Sequence, residues 1–266
     1  TQYGGADAPQ AIVKSRAASR TALALDPDLA MAHLARGQLL QNVDMDWRGA
    51  EAEAQRALQL APNDAAAQGF LGIVKAALGH NQRAAELTEP RIVADPRSAD
   101  GYFVLSSYLA ALGRLAEARQ AIEKTIGLQS QGAVNYAQLA IIDILDGDAK
   151  AALAAAKREP PGPWHDIAMA LALQVGPDRT AAEAALNTLV TQYGGTAAYQ
   201  IAEAYALRHD PDAMFKWLDH AWSTRDPGVS SLLSDPLILR YRDDPRFAAF
   251  CRKVGLPTTT DAVAMK

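Results

Sequence analysis

The chain has a single cysteine, Cys251, in 266 residues, so no internal disulfide framework can staple it. No apolar run approaches the roughly 18–20 residues that a membrane span needs. The formal charge is −4 with no dense basic block, which argues against a nucleic-acid surface. No signal peptide is visible, and the first residue is Thr1 rather than Met, which reads as an excised or processed piece of something longer. The motifs of familiar chemistry are missing too. There is no phosphate loop, no dinucleotide fingerprint after a strand and no His-Glu-x-x-His zinc pair. Ser230-Ser231 lacks the Gly-x-Ser-x-Gly elbow of a nucleophilic serine. His33, His80, His165, His209 and His220 are scattered. His209-Asp210 and Asp219-His220 adjoin in sequence, but adjacent residues on a helix do not face each other. Cys251 follows Phe250 with no histidine nearby in sequence, the pattern of a buried thiol. The expectation is a chain with no catalytic residues, no cofactor and no metal.

What is present is a period. Pro27, Pro62 and Pro96 are spaced by 35 and then 34 residues. Each ends a similar phrase: Ala22-Leu-Ala-Leu-Asp-Pro27, Ala57-Leu-Gln-Leu-Ala-Pro62, Arg91-Ile-Val-Ala-Asp-Pro96. A further step of 34 reaches Ser130, where the phrase persists and the proline is lost. Such a period marks stacked helix pairs. Units then start at Ala30, Ala65, Ala99 and Ala133. Their fourth, seventh, eighth and eleventh positions share one helical face. Small residues at the eighth position (Gly37, Gly72, Ser106, Ala140) admit a neighbouring helix at close range. Gly79, Gly113 and Gly147 follow the first helices, where a left-handed cap is expected. One extra residue near Trp47 accounts for the spacing of 35.

The predicted fold is therefore all-α, a right-handed superhelical solenoid of stacked antiparallel helix pairs. Residues 1–29 form an N-terminal helix ending a preceding repeat, and 30–159 hold four repeats. Pro160-Pro161-Gly162-Pro163 breaks the array. Residues 160–225 hold two degenerate helix pairs, and 226–266 form a C-terminal cap with a tail. The cap carries Asp226-Pro227, Asp235-Pro236 and Asp244-Pro245, each a turn or helix start. Thr1-Gln-Tyr-Gly-Gly5 recurs as Thr191-Gln-Tyr-Gly-Gly195, either by coincidence or because both copies end equivalent helices.

By period and by these small and large positions, residues 22–159 resemble tetratricopeptide repeats. Asp46-Trp47-Arg-Gly-Ala50-Glu-Ala-Glu53 with Arg56-Ala-Leu-Gln-Leu-Ala-Pro62 looks like the repeat region of bacterial multidomain signalling proteins. So do Ile201-Ala-Glu-Ala-Tyr205, Phe215-Lys-Trp217-Leu and Arg242-Asp-Asp-Pro-Arg-Phe247 through Gly255-Leu-Pro257. There the region lies beside a winged-helix regulator, a nucleotide cyclase or a kinase domain, none of which is in this sequence. His33 and Gln68 depart from the pattern, which has a large aromatic residue there. The resemblance implies a non-enzymatic protein-interaction or sensor region that grips an apolar or helical partner segment in its concave groove. The alternatives are a regulatory region docking on its own cyclase or kinase domain, and a free-standing scaffold, cytoplasmic or periplasmic.

In the resembled family the second, fifth, ninth, twelfth and thirteenth positions of each first helix face the groove. Here these include Leu34, Gln38, Gln41 and Asn42, then Phe103 and Ser107. Val134, Ala137, Ile141, Ile144 and Leu145 follow, with His165, Met169 and Leu173 in looser register. No basic set suited to a terminal carboxylate is present. The same aliphatic residues could equally pack inside the superhelix or under the tail.

Overall fold

In the computed structural model, which describes residues 8–258, the chain is helical throughout and holds no strand among the described residues. After α1 (Ala8–Leu25) come α2 (Ala30–Leu39) with α3 (Trp47–Leu60), α4 (Ala65–Ala77) with α5 (Asn81–Ala94), and α6 (Ala99–Ala111) with α7 (Leu115–Leu128). Then come α8 (Asn135–Leu145) with α9 (Ala149–Ala156), α10 (Pro163–Gln174) with α11 (Arg179–Tyr193), and α12 (Ala198–Leu207) with α13 (Pro211–Ser223). A 3-10 turn (Pro227–Ser231), α14 (Pro236–Leu239) and α15 (Pro245–Val254) close the chain. Consecutive helices pack on one another, and the whole is an all-α solenoid of stacked antiparallel pairs.

The local chemistry explains the boundaries. Asp46, Asp64, Ser98, Asp148, Asp178 and Asp210 each accept a hydrogen bond from a backbone N–H in the first turn of the helix that follows. Gly79, Gly113 and Gly147 adopt φ of 81°, 72° and 82°, where a side chain would be strained. The first pair solves the same turn differently. Its extra residue is absorbed by a π-helical turn, Leu40–Asp44, and Met45 takes the left-handed conformation at φ 54°. A π turn is one inserted residue in a helix, so the spacing of 35 and this geometry are one event.

A second regularity ties four of the six pairs to the loop before them. A polar side chain near the start of the first helix reaches back to the carbonyl oxygen six residues upstream. His33 does so to Pro27 (2.8 Å), Gln68 to Pro62 (3.0 Å), Asn135 to Gln129 (2.9 Å) and His165 to Glu159 (3.0 Å). These side chains close the inter-unit turn. His33 also meets Glu53 of α3 at 2.7 Å.

Where the proline phrase fails at Ser130, another device replaces it. Val134 is left-handed at φ 77°, and the buried Glu159 carboxylate caps α8 from the end of α9. It accepts the backbone N–H groups of Val134 (2.5 Å) and Ala137 (2.9 Å). Thr191–Gly195 ends α11, with Gly194 as its C-cap, whereas Thr1–Gly5 lies outside the described residues.

The segment after α13 does more than cover the last pair. It packs on α12 and α13 and also reaches the first two pairs, so both ends of the stack share one core. Trp47, Phe70, Leu71 and Val74 are buried with Tyr199, Leu218, Leu233, Phe250 and Val254. The Trp47 indole donates to the Val254 carbonyl (3.1 Å), and the Asn81 amide donates to that of Leu233 (3.0 Å). Gly228 lies so tightly on α12 that a Cβ there would stand 2.5 Å from the Tyr199 Cβ.

Candidate functional site

The structure sorts the expected groove residues into three groups. Leu34, Ala137 and Ile144 are core, correcting their placement in an open groove. Phe70 covers the face of α2 beside Leu34: its Cε1 lies 2.7 Å from where a Cβ on Gly37 would be. Helix α10 packs directly on α8 as well as on α9, which puts Ala137 and Ile144 in one core with Ile167 and Leu171. Ile141, Leu145 and Met169 are half-buried against that core, as is Phe103 against Leu109 and Ile122. Val134 is half-buried at the α8 entry, and its backbone is committed to Glu159. Gln38 and Asn42 are exposed, and Ser107 is half-buried.

Of these residues, Ser107 lies in a surface depression of about 260 Å³ between α4 and α6. It is lined by Ile73, Ala76 and Ala77 from α4, by Val104, Ser107 and Tyr108 from α6, and by Gln41 of the π turn. The opposite wall is Ser230, Ser231 and Ser234 of the returning C-terminal segment. Ile73, Ser107 and Gln41 stand at the ninth, ninth and twelfth positions of their units, and Ala76 and Ala77 at the twelfth and thirteenth. The depression thus gathers positions that the resemblance assigns to the groove side of the first three pairs, with the chain's own C-terminal segment beside them. Carrying the register through the second unit would have found Ile73, Ala76 and Ala77. Nothing periodic points to the three serines.

The site contains no charged side chain. Ile73 is 42% exposed. Gln41 is only 5% exposed, yet its amide oxygen has no hydrogen-bond partner. An unpaired buried acceptor costs roughly 1–3 kcal/mol. Gln41 sits in the π turn, a distortion frequent at functional sites. Burial holds the Tyr108 phenol well above its ordinary range, so it stays a neutral donor.

Elsewhere two shifted groups are set by burial. Burial pushes the Cys251 thiol up to about 11, away from the reactive thiolate. Arg119 pairs with the buried Asp143, whose carboxyl is raised by desolvation. Among the described residues no group of His, Cys, Asp and Glu could hold a metal ion, and no helix is long and apolar enough to cross a membrane.

No protein-family profile matches the chain, and no curated relative does. Solved structures do. PilW, a type IV pilus biogenesis factor, superposes with a TM-score of 0.62 at 17% identity, over 73% of this chain and 90% of PilW. Pseudomonas aeruginosa PilF gives 0.56 at 17% identity, over 73% of this chain and 89% of its own. A tetratricopeptide repeat protein from Parabacteroides merdae gives 0.51 at 12% identity, over 85% and 92% of the two chains. At these identities the likeness is one of fold, and that fold is the tetratricopeptide type.

Proposed function

We propose that the chain is a non-enzymatic interaction scaffold that holds a neutral, aliphatic peptide segment on the inner face of its first three helix pairs. The observation that carries this reading is the uncharged depression that holds the exposed aliphatic Ile73. A peptide supplies an aliphatic side chain for Ile73, Ala76 and Val104, and the hydroxyls of Tyr108 and Ser231 suit its carbonyls. With no charge lining the depression, a carboxylate or phosphate has no counter-ion there.

The test is panning of a random peptide library on the full chain and on Ile73→Glu. Ile73 is exposed, so the variant keeps its melting temperature. The parent should enrich neutral aliphatic sequences and the variant should lose them. Enrichment of the same sequences by both proteins would refute the inner face as the site. The sequence likeness at 46–62 and 201–257 favours a setting within a larger bacterial signalling or regulatory protein, whose effector domain would then be one source of the segment.

A further inference from the structure

At the N-terminal end of the stack, α1 and α2 border a cleft of about 410 Å³ that the scaffold reading does not use. Arg16, Ser19, Arg20 and Leu23 line it from one face of α1, at the three- and four-residue steps that bring side chains together on a helix. Arg36 and Leu39 from the end of α2 and Leu40 from the start of the π turn line it from the other side at the same steps. The cleft thus lies along two helices, with leucines in its walls and three guanidinium groups beside them. Leu39 is buried, Leu23 and Leu40 are half-buried, and the three arginines are exposed. No acidic residue lines it.

The three arginines differ in how their charge is met. Arg16 is clamped by Asp44, with each Nη atom 2.8 Å from a carboxylate oxygen. Arg36 approaches Glu53 through Nε at 3.5 Å, and its side chain makes no hydrogen bond among the described residues. Glu53 is itself engaged by His33 at 2.7 Å. Arg20 has no partner among the described residues. Helix α1 carries Lys14, Arg16 and Arg20 and no acidic residue, in a chain whose formal charge is −4. Two planar guanidinium forks, each shaped for a bidentate carboxylate, therefore stand beside leucine side chains without one. The apolar surface also continues outside the cleft: Val13 and Leu25 of α1 and Met31 of α2 are 67%, 83% and 64% exposed.

We propose that this cleft docks an acidic, aliphatic peptide segment of a partner protein. Aliphatic side chains of the segment cover Leu23, Leu39 and Leu40, and its carboxylates take Arg20 and Arg36. Charge complementarity selects this occupant. A neutral segment would strip water from two guanidinium groups without giving them a counter-ion. A nucleic acid needs a broad basic surface to track its phosphates, and here one basic helix stands in an acidic chain. The exposed Val13, Leu25 and Met31 extend the apolar contact past the cleft, which suits a segment better than a small molecule. No residue is shared between this cleft and the uncharged depression at Ile73, so the proposal does not rest on the inner-face reading.

The probe is a labelled synthetic peptide with a leucine at every helical turn and glutamates beside the leucines, titrated into the full chain by fluorescence anisotropy. It should bind, and binding should weaken as salt is raised. Replacing its glutamates by lysines, or Arg20 by glutamate in the protein, should weaken binding by about tenfold or more, since each change turns an attraction into a repulsion. Failure to bind, or equal affinity of Arg20→Glu and the parent, would overturn the proposal. Displacement of the peptide by inorganic phosphate at constant ionic strength would also overturn it, by making the cleft a phosphate site. A dimer of the chain alone that Arg20→Glu abolishes would assign the cleft to a second copy instead. One readout uses the parent only and so does not depend on how a variant folds: the Nε–Hε resonances of Arg20 and Arg36 should move on addition of peptide, while that of Arg158, stacked on Tyr136, stays in place. Unmoved Arg20 and Arg36 resonances in a peptide-bound chain would put the peptide elsewhere. Ile73→Glu separates the two surfaces: it should bind the acidic peptide as the parent does, and loss there would mean that this peptide uses the inner face and would overturn the cleft.

Discussion

The middle of the stack and its ends are built by different rules. From α6 to α9 each helix packs on its sequence neighbours; Leu109, Ile122 and Ile142 form a local core, while that of Ala140, Ala152 and Ile167 passes from pair to pair down the stack as far as Leu237. The first two pairs instead share a core with residues about 150 to 200 positions later in the chain, through Trp47–Val254 and Asn81–Leu233. A solenoid of the first kind loses stability piece by piece, since each repeat touches only its neighbours. Closure of the second kind makes the two ends one cooperative unit. The difference teaches that this repeat protein need not behave as a one-dimensional array.

The sharpest way to break that contrast is Trp47→Ala. Trp47 is 2% exposed at the closure, and its loss should cost about 3–5 kcal/mol. Chemical denaturation should show the lost stability, and hydrogen exchange should show both ends opening together while α6–α9 stay protected. Uniform loss of protection would mean that the ends and the middle are one unit. Next in size is Gly72→Leu, inside one helix pair. A Cβ at Gly72 meets the Ala84 carbonyl oxygen at 3.5 Å and Leu87 at 3.7 Å, ordinary contacts that leave no room for more. Leucine should cost about 1–3 kcal/mol by overpacking, and Gly72→Ala almost nothing. Similar melting temperatures for the two variants would show that α4 can move away from α5.

Glu159→Gln probes the middle alone. It keeps one acceptor of the two that cap α8 and removes the charge, and should lower the denaturation free energy by about 1 kcal/mol. Protection should fall in α8 and α9 first; an effect spread to residues 227–256 would show that the closure feels the middle. The smallest effect is a gain. His209 is exposed and left-handed at φ 59°, a conformation free to glycine. His209→Gly should stabilise by about 0.5 kcal/mol, raising the melting temperature slightly. A lowered melting temperature would show that the imidazole contributes more than its backbone costs.

These residues also show what the sequence made legible. The proline phrase and the glycines at 79, 113 and 147 located the first helix pairs because caps and left-handed turns are set by residues a few positions apart. The extra residue near Trp47 announced the π turn without giving its form. The Asp-Pro steps after residue 225 marked the starts of the final turns and helices. The Glu159 cap on α8 stayed hidden because its partners lie more than 20 residues away, with no motif joining them. Position in a repeat says which way a side chain leaves its helix, and it singled out Ser107 and Gln41, which line one depression. It does not say what lies opposite, which is why Leu34, Ala137 and Ile144 proved to be core. The closing segment is aperiodic, so its docking surface on α3 to α5 leaves no trace in spacing.

The last helix carries a consequence for growth. A repeat array lengthens, in a genome or in a filament, by stacking the next unit on the exposed side of the last. Here α15 turns Phe247, Phe250 and Val254 inward and leaves Arg246, Arg252 and Lys253 outside. Beyond α13 the stacking surface is used up and its replacement is charged. In the polymer sense this surface is blocked for stacking: an inserted repeat after α13 would have to evict the segment that joins the two ends.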